Sequence, residues 1–281
     1  MQYLRKCSLL VAGMDQGLDL SGLRIRFSVK RSDAQTPNAA EIRVYNLAPN
    51  TAQQIRDEFT RVILQAGYEE NFGVIFDGDI KQVKFGREGG TDTYVDIAAG
   101  DGDAAYNFAV VNTTLAAGAR QSDQIRAALA PMAERGVTAG YIDTSDDRAL
   151  PRGKAMFGMS RDYLRRSADT TATTWSIQDR KVQFVKRTGL LPGQAVALSS
   201  ATGLVGVPEV TNDGVYIRSL LNPLLVIGGQ VQVSGSTDAD GIYRILVVEH
   251  TGDTHGNEWY STITGLLVDP SAPKGQQTAP T

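Results

Sequence analysis

The chain has 281 residues, which is long for one compact core and enough for two or three small ones. Hydrophobic residues make up 42% and charged residues 21% of it, as in ordinary globular proteins. Its formal net charge of −3 argues against a nucleic-acid binder, which needs clustered Lys and Arg to displace counterions. The single cysteine, Cys7, excludes a disulfide within the chain and fits assembly in a reducing cytoplasm.

The N-terminal segment gives no sign of a membrane or export signal. Its apolar runs fall short of the roughly 20 residues that span a bilayer. Met14 and Asp15 stand where a signal peptide would place small residues at its cleavage site. We expect neither membrane insertion nor the usual export route, and we expect Cys7 to be a small apolar residue of the first strand rather than a reactive thiol.

Residues 1 to 103 are predicted to be mostly β. Alternating polar and apolar residues indicate strands that have one buried face and one solvated face. Asn50 is predicted to cap a short helix that ends near Phe59, because its side chain can accept a free backbone N–H. The predicted strands are Arg24–Lys30, Glu41–Tyr45, Val62–Tyr68, Val74–Phe85 and Thr93–Ala99.

Residues 104 to 190 differ in pattern and predict a small α+β insert. Ser122 is predicted to cap one helix, which Gly136 follows, and Ser160 is predicted to cap a second. A hairpin of Thr173–Ile177 and Val182–Arg187 comes next.

The chain returns to β structure from 191 to 269, and its last residues, 270 to 281, have the composition of a flexible tail. The two β regions share a weak repeat in which two glycines six residues apart open a long strand. These glycines are Gly67 and Gly73 in the first region and Gly235 and Gly241 in the second, with Tyr94 and Tyr260 following. The repeat predicts two related β-barrel domains on either side of the insert.

The segment from Gly203 to Val233 carries the most specific pattern, and it contains no nucleophile, metal cluster or phosphate loop. Its parts Val205–Glu209, Leu220–Pro223 and Gly228–Gly229 resemble a signature of phage tail proteins. Further stretches, in the same order along the chain, resemble the baseplate hub proteins of contractile-tailed bacteriophages. They are Ile42–Ile55, Val62–Glu69, Gly73–Ile80, Pro151–Arg165, Thr174–Val185 and His250–Trp259.

The resemblance implies a mainly β fold with an α+β insert, in which two tail-tube-like β-barrel domains, 1–103 and 191–269, flank a peripheral domain, 104–190. It also implies a homotrimer, whose six barrels form a ring that joins the tail tube to the central spike and lines the DNA channel. The tube protein, the spike protein, the tape measure protein and other baseplate subunits are the implied partners. The protein is expected in the virion baseplate after assembly in the host cytoplasm, without sequence-specific nucleic-acid binding.

Assembly of such a ring is expected to use the edge strands of the barrels, which would pair between subunits. The segments Gly86–Gly90 and Asp253–Asn257 are candidates for ordering when the partner arrives. No catalytic, cofactor-binding or metal-ligating residue is assigned, and we expect a structural protein rather than an enzyme.

One alternative to a structural role is zinc binding by His250, Asp253 and His255, near Glu249 and Glu258. The HTGDTHG segment favours a polar turn between strands over a metal site, because the chain has no further histidine. A tail-associated cell-wall hydrolase is a second alternative, whose candidates are Asp77, Asp79, His250 and His255, with Asp101 and Asp103 later in the sequence. Asp77 and Asp79 form a carboxylate pair on one strand face. Their spacing, continued by Lys81, favours a solvated strand face.

The remaining candidates have ordinary explanations. Gly100–Gly102 and Arg87–Gly90 lack the helix that follows a phosphate-binding loop, and they predict turns. Arg161, Arg165 and Arg166 predict a solvated helix face. A module that binds host glycans is a third alternative, although aromatic residues are only 7% of the chain and most follow strand patterns.

Overall fold

The computed structural model describes residues 4–13, 16–211, 214–235 and 239–268. The fold is mainly β, with four helices among the described residues. The helices are α1 (Pro49–Glu58), α2 (Asp103–Phe108), α3 (Gln121–Ala133) and α4 (Ser160–Thr170). The predicted tail, 270–281, lies outside the described residues.

The strands fall into three groups along the chain. The first group precedes α2 and consists of β1 (Arg5–Ala12), β2 (Gly17–Asp19), β3 (Ile25–Ser32), β4 (Ala39–Tyr45), β5 (Arg61–Tyr68), β6 (Asn71–Glu88) and β7 (Asp92–Gly100). The insert contains β8 (Val110–Leu115), β9 (Thr138–Ile142), β10 (Lys154–Met159), β11 (Thr173–Gln178) and β12 (Lys181–Lys186). The last group consists of β13 (Val196–Leu198), β14 (Glu209–Thr211), β15 (Gly214–Leu220), β16 (Gln230–Val233), β17 (Gly241–Asp253) and β18 (Trp259–Leu267).

The first and last groups of strands form one sheet of 13 strands. Its main path runs β14-β15-β18-β17-β3-β4-β7-β6-β5-β1-β2, while β16 pairs with β17 and β13 pairs with β16. The two groups join where β3 lies antiparallel to β17, with Ser32 opposite Val247 and Arg26 opposite Asp253. We call this junction of β3 and β17 the seam. The sequence predicts two barrels, whereas the described strands form a single open sheet with β14 and β2 at its ends.

The same strand order occurs twice in this sheet. The order β3-β4-β7-β6-β5 in the first group corresponds to β14-β15-β18-β17-β16 in the last group. We call these two sets of five strands the first half and the second half. The long strand of each half has a bulge in its pairing with the next strand, at Lys81 in β6 and at Leu246 in β17.

The bulges fix which residues correspond between the halves. Tyr94 pairs with Gly86, five residues after Lys81, and Tyr260 pairs with Thr251, five residues after Leu246. Tyr94 and Tyr260 therefore occupy equivalent places, as the sequence repeat predicts. Aligning the long strands by their glycines instead gives an error of three residues. Gly73 lies eight residues before the bulge at Lys81, whereas Gly241 lies five residues before the bulge at Leu246.

Three groups of buried apolar residues form the cores. The first lies among β1, β3 to β7 and α1, and it also contains Leu221 and Trp259 from the second half. A second core lies within the insert, around Trp175 and Phe184. The third lies in the second half, around Ile217 and Ile263. Trp259 packs edge-to-face on Phe27, with ring centroids 5.5 Å apart, so the two halves share side-chain packing as well as backbone pairing.

The predicted helix caps are wrong by one or two residues. Pro49 occupies the first turn of α1 after Ala48, which places Asn50 inside the helix. Ser160 begins α4 after Met159. Ser122 lies in the first turn of α3, where its backbone N–H and its hydroxyl both donate to the carboxylate of Asp147, at 2.9 and 3.0 Å. The start of α3 is thus held by Asp147, 25 residues away in the chain, and locally by Asp123, which accepts the backbone N–H of Arg120 at 2.9 Å.

Candidate functional site

The most extended candidate surface is the polar side of the sheet, from β6 across the seam to β15. Strand side chains alternate between two sides, so a buried residue on each strand is followed by one that faces outward. The outward residues meet side by side across the ladders and define what we call the polar face. They are Gln82, Lys84, Asp96, Ala98, Glu41, Arg43, Arg26, Ser28, Glu249, Thr251, Tyr260, Thr262, Tyr216 and Arg218.

A cleft of about 510 Å³ lies on this face. Charged side chains of both signs line it, and several form pairs across neighbouring strands. Arg43 donates two hydrogen bonds to Asp96, at 2.7 and 2.9 Å, and a third to Glu88 at 3.2 Å. The hydrogen bond to Asp96 raises the pKa of Arg43 further, so this arginine stays charged. Arg26 lies 3.8 Å from Glu258 at the rim of the cleft.

An arginine and a tyrosine stack at the equivalent place in both halves. The Arg43 guanidinium lies 3.8 Å from the Tyr94 ring centre, and that of Arg218 lies 4.0 Å from the Tyr260 ring centre. The stacks fix the position of these two arginines, and the carboxylates of the face balance positive charge, as Asp96 does for Arg43. The polar face therefore offers local hydrogen bonds without the strong field of one sign that would hold a polyanion.

The histidine cluster does not form the metal site considered above. His250 is fully buried within β17, opposite Val29, and its Nδ1 lies 2.8 Å from the Ser261 hydroxyl. Burial lowers the pKa of His250 to about 3, so its ring is neutral at physiological pH. His255 lies in the following turn, where its Nδ1 is 3.0 Å from the Thr254 hydroxyl.

Asp253 also differs from the turn prediction, because it ends β17 rather than lying in a loop. Its carboxylate accepts a hydrogen bond of 2.7 Å from Arg24, which lowers the pKa of Asp253. The HTGDTHG segment is therefore strand as far as Asp253 and turn only beyond it, because β3 and β18 hold both edges of β17. Within the described ranges, no group of three or more potential ligands could hold a metal ion.

The carboxylates Asp77, Asp79 and Asp103 are ion-paired rather than free for acid–base chemistry. Asp77 pairs with Arg61 at 2.6 Å, Asp79 with Arg180 at 2.9 Å, and Asp103 with Lys81 at 3.0 Å. The prediction of a solvated strand face was wrong for Asp77 and Asp79, which lie on β6 and are half-buried beside their arginine partners.

Asp101 belongs to a buried polar network that the sequence pattern did not predict. Its carboxylate accepts the backbone N–H groups of Asp179 and Arg180, at 2.7 and 2.8 Å. Arg31 donates to Asp179 at 2.7 Å, and Asn38 donates to Gln178 at 2.9 Å. Burial raises the pKa of Asp101 to about 7. The network attaches the β11–β12 turn of the insert to the first half. In the sequence, the Asp-Gly pair after β7 was the only sign of it.

The other predicted candidates have structural roles. Cys7 is partly buried in β1, and burial raises its pKa to about 12, which leaves the thiol unreactive. Gly102 and Gly89 have positive φ in turns, as predicted. The expectation that no helix follows Gly100–Gly102 was wrong, because α2 begins directly after Gly102, and the predicted turn at Arg87–Gly90 is shorter, because Arg87 and Glu88 still belong to β6. Arg161 donates to the Tyr106 carbonyl at 3.0 Å and Arg165 to Gln35 at 2.9 Å.

No described helix is long and apolar enough to cross a membrane. Neither a scan of protein-family models nor a search of the curated proteins found a match.

Solved structures do share the fold. A tail protein from Neisseria meningitidis MC58 superposes with a TM-score of 0.64 at 9% identity, covering 94% of this chain and 96% of the other. The 43 kDa tail protein of prophage MuSo2 from Shewanella oneidensis gives 0.63 at 9% identity, covering 94% and 98%. The E. coli c3393 protein, a type VI secretion component similar to the T4 tail proteins gp27 and gp5, gives 0.60 at 12% identity, covering 93% and 77%.

These neighbours are described as tail proteins and as a component of a secretion system. At such low identity the likeness concerns the fold alone, and it extends over nearly the whole chain. The resemblance to phage tail proteins is thus confirmed at the level of the fold.

Proposed function

We propose that this protein is the structural hub of a phage tail baseplate. Three copies form a ring that joins the tail tube protein to the central spike protein. The ring resides in the virion and assembles in the host cytoplasm, where the tape measure protein and other baseplate subunits can meet it. Segments 1–103 and 191–269 act as the two tube-like domains, and 104–190 acts as the peripheral domain.

The observation that carries this proposal is the repeated strand order within a tail-protein fold. Two similar halves per chain give six similar units in a trimer. Such a ring can meet a sixfold tube on one side and a threefold spike on the other. Neighbours that include structures of a Francisella PdpA-VgrG complex, at a TM-score of 0.56, support a role beside a spike.

The polar face is proposed to line the channel through which DNA passes. Its charges pair across strands, as Arg43 and Asp96 do, so phosphates would meet a hydrated wall of low net field. A channel needs this property, because a strongly basic wall would retain the DNA by counterion release.

Mass measurement tests the hub directly. Light scattering of the purified protein, alone and mixed with the tube and spike proteins, should detect a particle of three times the 30.2 kDa chain that binds both partners. A stable single chain that binds neither partner would overturn the proposed function.

A further inference from the structure

The long strands of the two halves differ at one edge. In β17, Gly241–Arg244 pairs with β16, Leu246 forms the bulge, and Val247–Asp253 pairs with β3. In β6, Asn71–Asp79 pairs with β5, Lys81 forms the bulge, and Gln82–Glu88 follows. The last segments of both strands have seven residues. The Gln82–Glu88 segment pairs with β7 on one side, and no described strand lies on its other side.

We propose that the open edge of Gln82–Glu88 binds strand β14 of a second copy of this chain, in the position that β3 holds on β17. The inference rests on the proposed ring and names its interface. Strand β14 is the equivalent of β3 in the second half, and it is the outermost strand at its end of the sheet. Each copy would offer β6 to one neighbour and β14 to the other.

The existing seam fixes the expected register. Within the chain, Glu249 lies opposite Lys30, and His250 lies opposite Val29. Counted from the bulges, Lys84 and Phe85 are the equivalents of Glu249 and His250. On the other strand, Thr211 and Val210 pair with the β15 residues that correspond to the β4 partners of Lys30 and Val29. Thr211 and Val210 are therefore the equivalents of Lys30 and Val29. Lys84 should therefore face Thr211, and Phe85 should face Val210, of the second copy.

Exposed apolar side chains on both edges support this register. Phe85 is 47% exposed and Val210 is 56% exposed, although their strand partners Val95 and Val215 are buried. The equivalent residues of the existing seam, His250 and Val29, are both fully buried. Pairing β6 with β14 would bring two exposed apolar side chains face to face and remove them from water.

The charges on the polar side also match. Ser28 donates to Glu249 at 3.3 Å across the existing seam, along a diagonal of the ladder. The same diagonal in the proposed interface joins Lys84 to Glu209, which carry opposite charges. Neither residue has an ion-pair partner within the described part of the chain.

The form of β14 explains how this edge stays unpaired before assembly. The strand has three residues, and Gly206, with φ of 74°, and Pro208 interrupt the chain just before it. Short strands, bulges and prolines are the means by which proteins protect sheet edges from unwanted pairing. Since β6 and β14 are different surfaces, the contact is head-to-tail rather than twofold, and it closes into a ring when the rotation between copies is that of the proposed trimer.

Disulfide trapping in the full chain tests the register. Cys7, the single native cysteine, is first replaced by alanine, and circular dichroism checks the fold. The Phe85→Cys and Val210→Cys changes are then combined, because opposite residues of antiparallel strands lie within disulfide range. Mild oxidation should give reducible multimers in denaturing gels, and the series should end at three chains.

Matched controls show whether the bond reports on this register. Each single variant should remain a single chain under denaturing conditions or form at most a pair. The combination of Phe72→Cys with Val210→Cys should not form the series, because Phe72 lies on the β6 segment that β5 already covers. In a second measurement, Val210→Lys should weaken self-association at least roughly tenfold. Val110→Lys, an equally drastic change on the exposed part of the insert, should leave it unchanged.

The outcomes separate the interface from the ring. A trimer by light scattering that the matched cysteine pair does not cross-link, or that Val210→Lys does not weaken, would overturn the edge pairing and leave the hub intact. A single chain at all concentrations, without affinity for tube or spike protein, would overturn both.

Discussion

The two halves of the sheet have the same strand order but different support. The first half is closed on its core side by α1 and extended by β1 and β2, and it buries more large side chains than the second. The second half has no described helix between β15 and β16, and it sends Trp259 into the core of the first. A duplicated strand order therefore does not produce two self-sufficient domains. Each prediction below tests how far the halves depend on each other.

Trp259→Ala should have the largest effect. Trp259 is buried against Phe27 across the seam, and loss of a core tryptophan costs about 3–5 kcal/mol. Although Trp259 belongs to the second half, the first half should unfold at lower denaturant as well. Chemical denaturation followed by hydrogen exchange at β4 and β7 measures this. Tyr260→Ala, a half-exposed neighbour, serves as control, and normal protection of the first half in Trp259→Ala would show that the halves fold independently.

Arginines from the two halves hold the insert by different means. Arg31 of the first half binds the side chains of Gln178 and Asp179, whereas Arg244 of the second half donates to the carbonyls of Lys186 and Arg187. Arg31→Met should cost about 3 kcal/mol, because it leaves part of a buried ionic network without its cation.

Arg244→Met should cost less, about 2 kcal/mol, since its main acceptors are neutral carbonyls. Limited proteolysis of the β11–β12 turn and the 187–195 segment would distinguish the two attachments. Equal protease sensitivity of both sites in both variants would contradict this assignment.

Stability should depend on pH in opposite directions in the two halves. The folded pKa of His250, about 3, lies below the ordinary 6.5, so its contribution to stability is lost as pH falls from 6.5 toward 3. The folded pKa of Asp101, about 7, lies above the ordinary 3.8, so its contribution is present at low pH and lost as pH rises toward 7. Between about pH 4 and 6.5 the two slopes, each up to about 1.4 kcal/mol per pH unit, offset one another.

Single variants should reveal each slope. His250→Leu should leave a protein whose unfolding free energy falls as pH rises from 4 to 7. Asp101→Asn should leave one whose unfolding free energy rises from pH 4 to 6.5. Denaturation at several pH values measures both, and parallel curves for the two variants would refute the opposed pKa shifts.

The polar face should show the smallest difference between the halves. Arg43 binds carboxylate partners and stacks on Tyr94. Arg218 stacks on Tyr260 at the equivalent place, and among the described residues of the polar face it has no carboxylate partner. Arg43→Ala should cost about 1 kcal/mol and Arg218→Ala about 0.5 kcal/mol, since exposed pairs contribute little. Thermal unfolding in low and high salt separates them, because only the Arg43 value should fall with salt. Equal salt dependence would contradict the pairing.

Local patterns predicted most of the strands, because each has one buried face and alternates accordingly. The β11–β12 hairpin and the equivalence of Tyr94 with Tyr260 followed from such patterns. The seam between β3 and β17 could not be predicted, since neither strand carries a mark of its distant partner. The same holds for Asp147 at the start of α3 and for Asp101 beneath the insert. His250 was misplaced because polar residues near glycines suggest a turn, whereas strands on both sides hold it in the sheet.

The seam also determines which part of the sheet forms last during synthesis. Ser28 and Glu249 meet across it although 221 positions separate them in the chain, and such distant contacts form slowly. Strands β3 to β7 leave the ribosome long before β17 exists, so the outer edge of β3 has no strand on it while the insert is being made. A nascent chain of this protein therefore exposes an unpaired strand edge until β17 is made, and chaperone binding should be strongest during that interval.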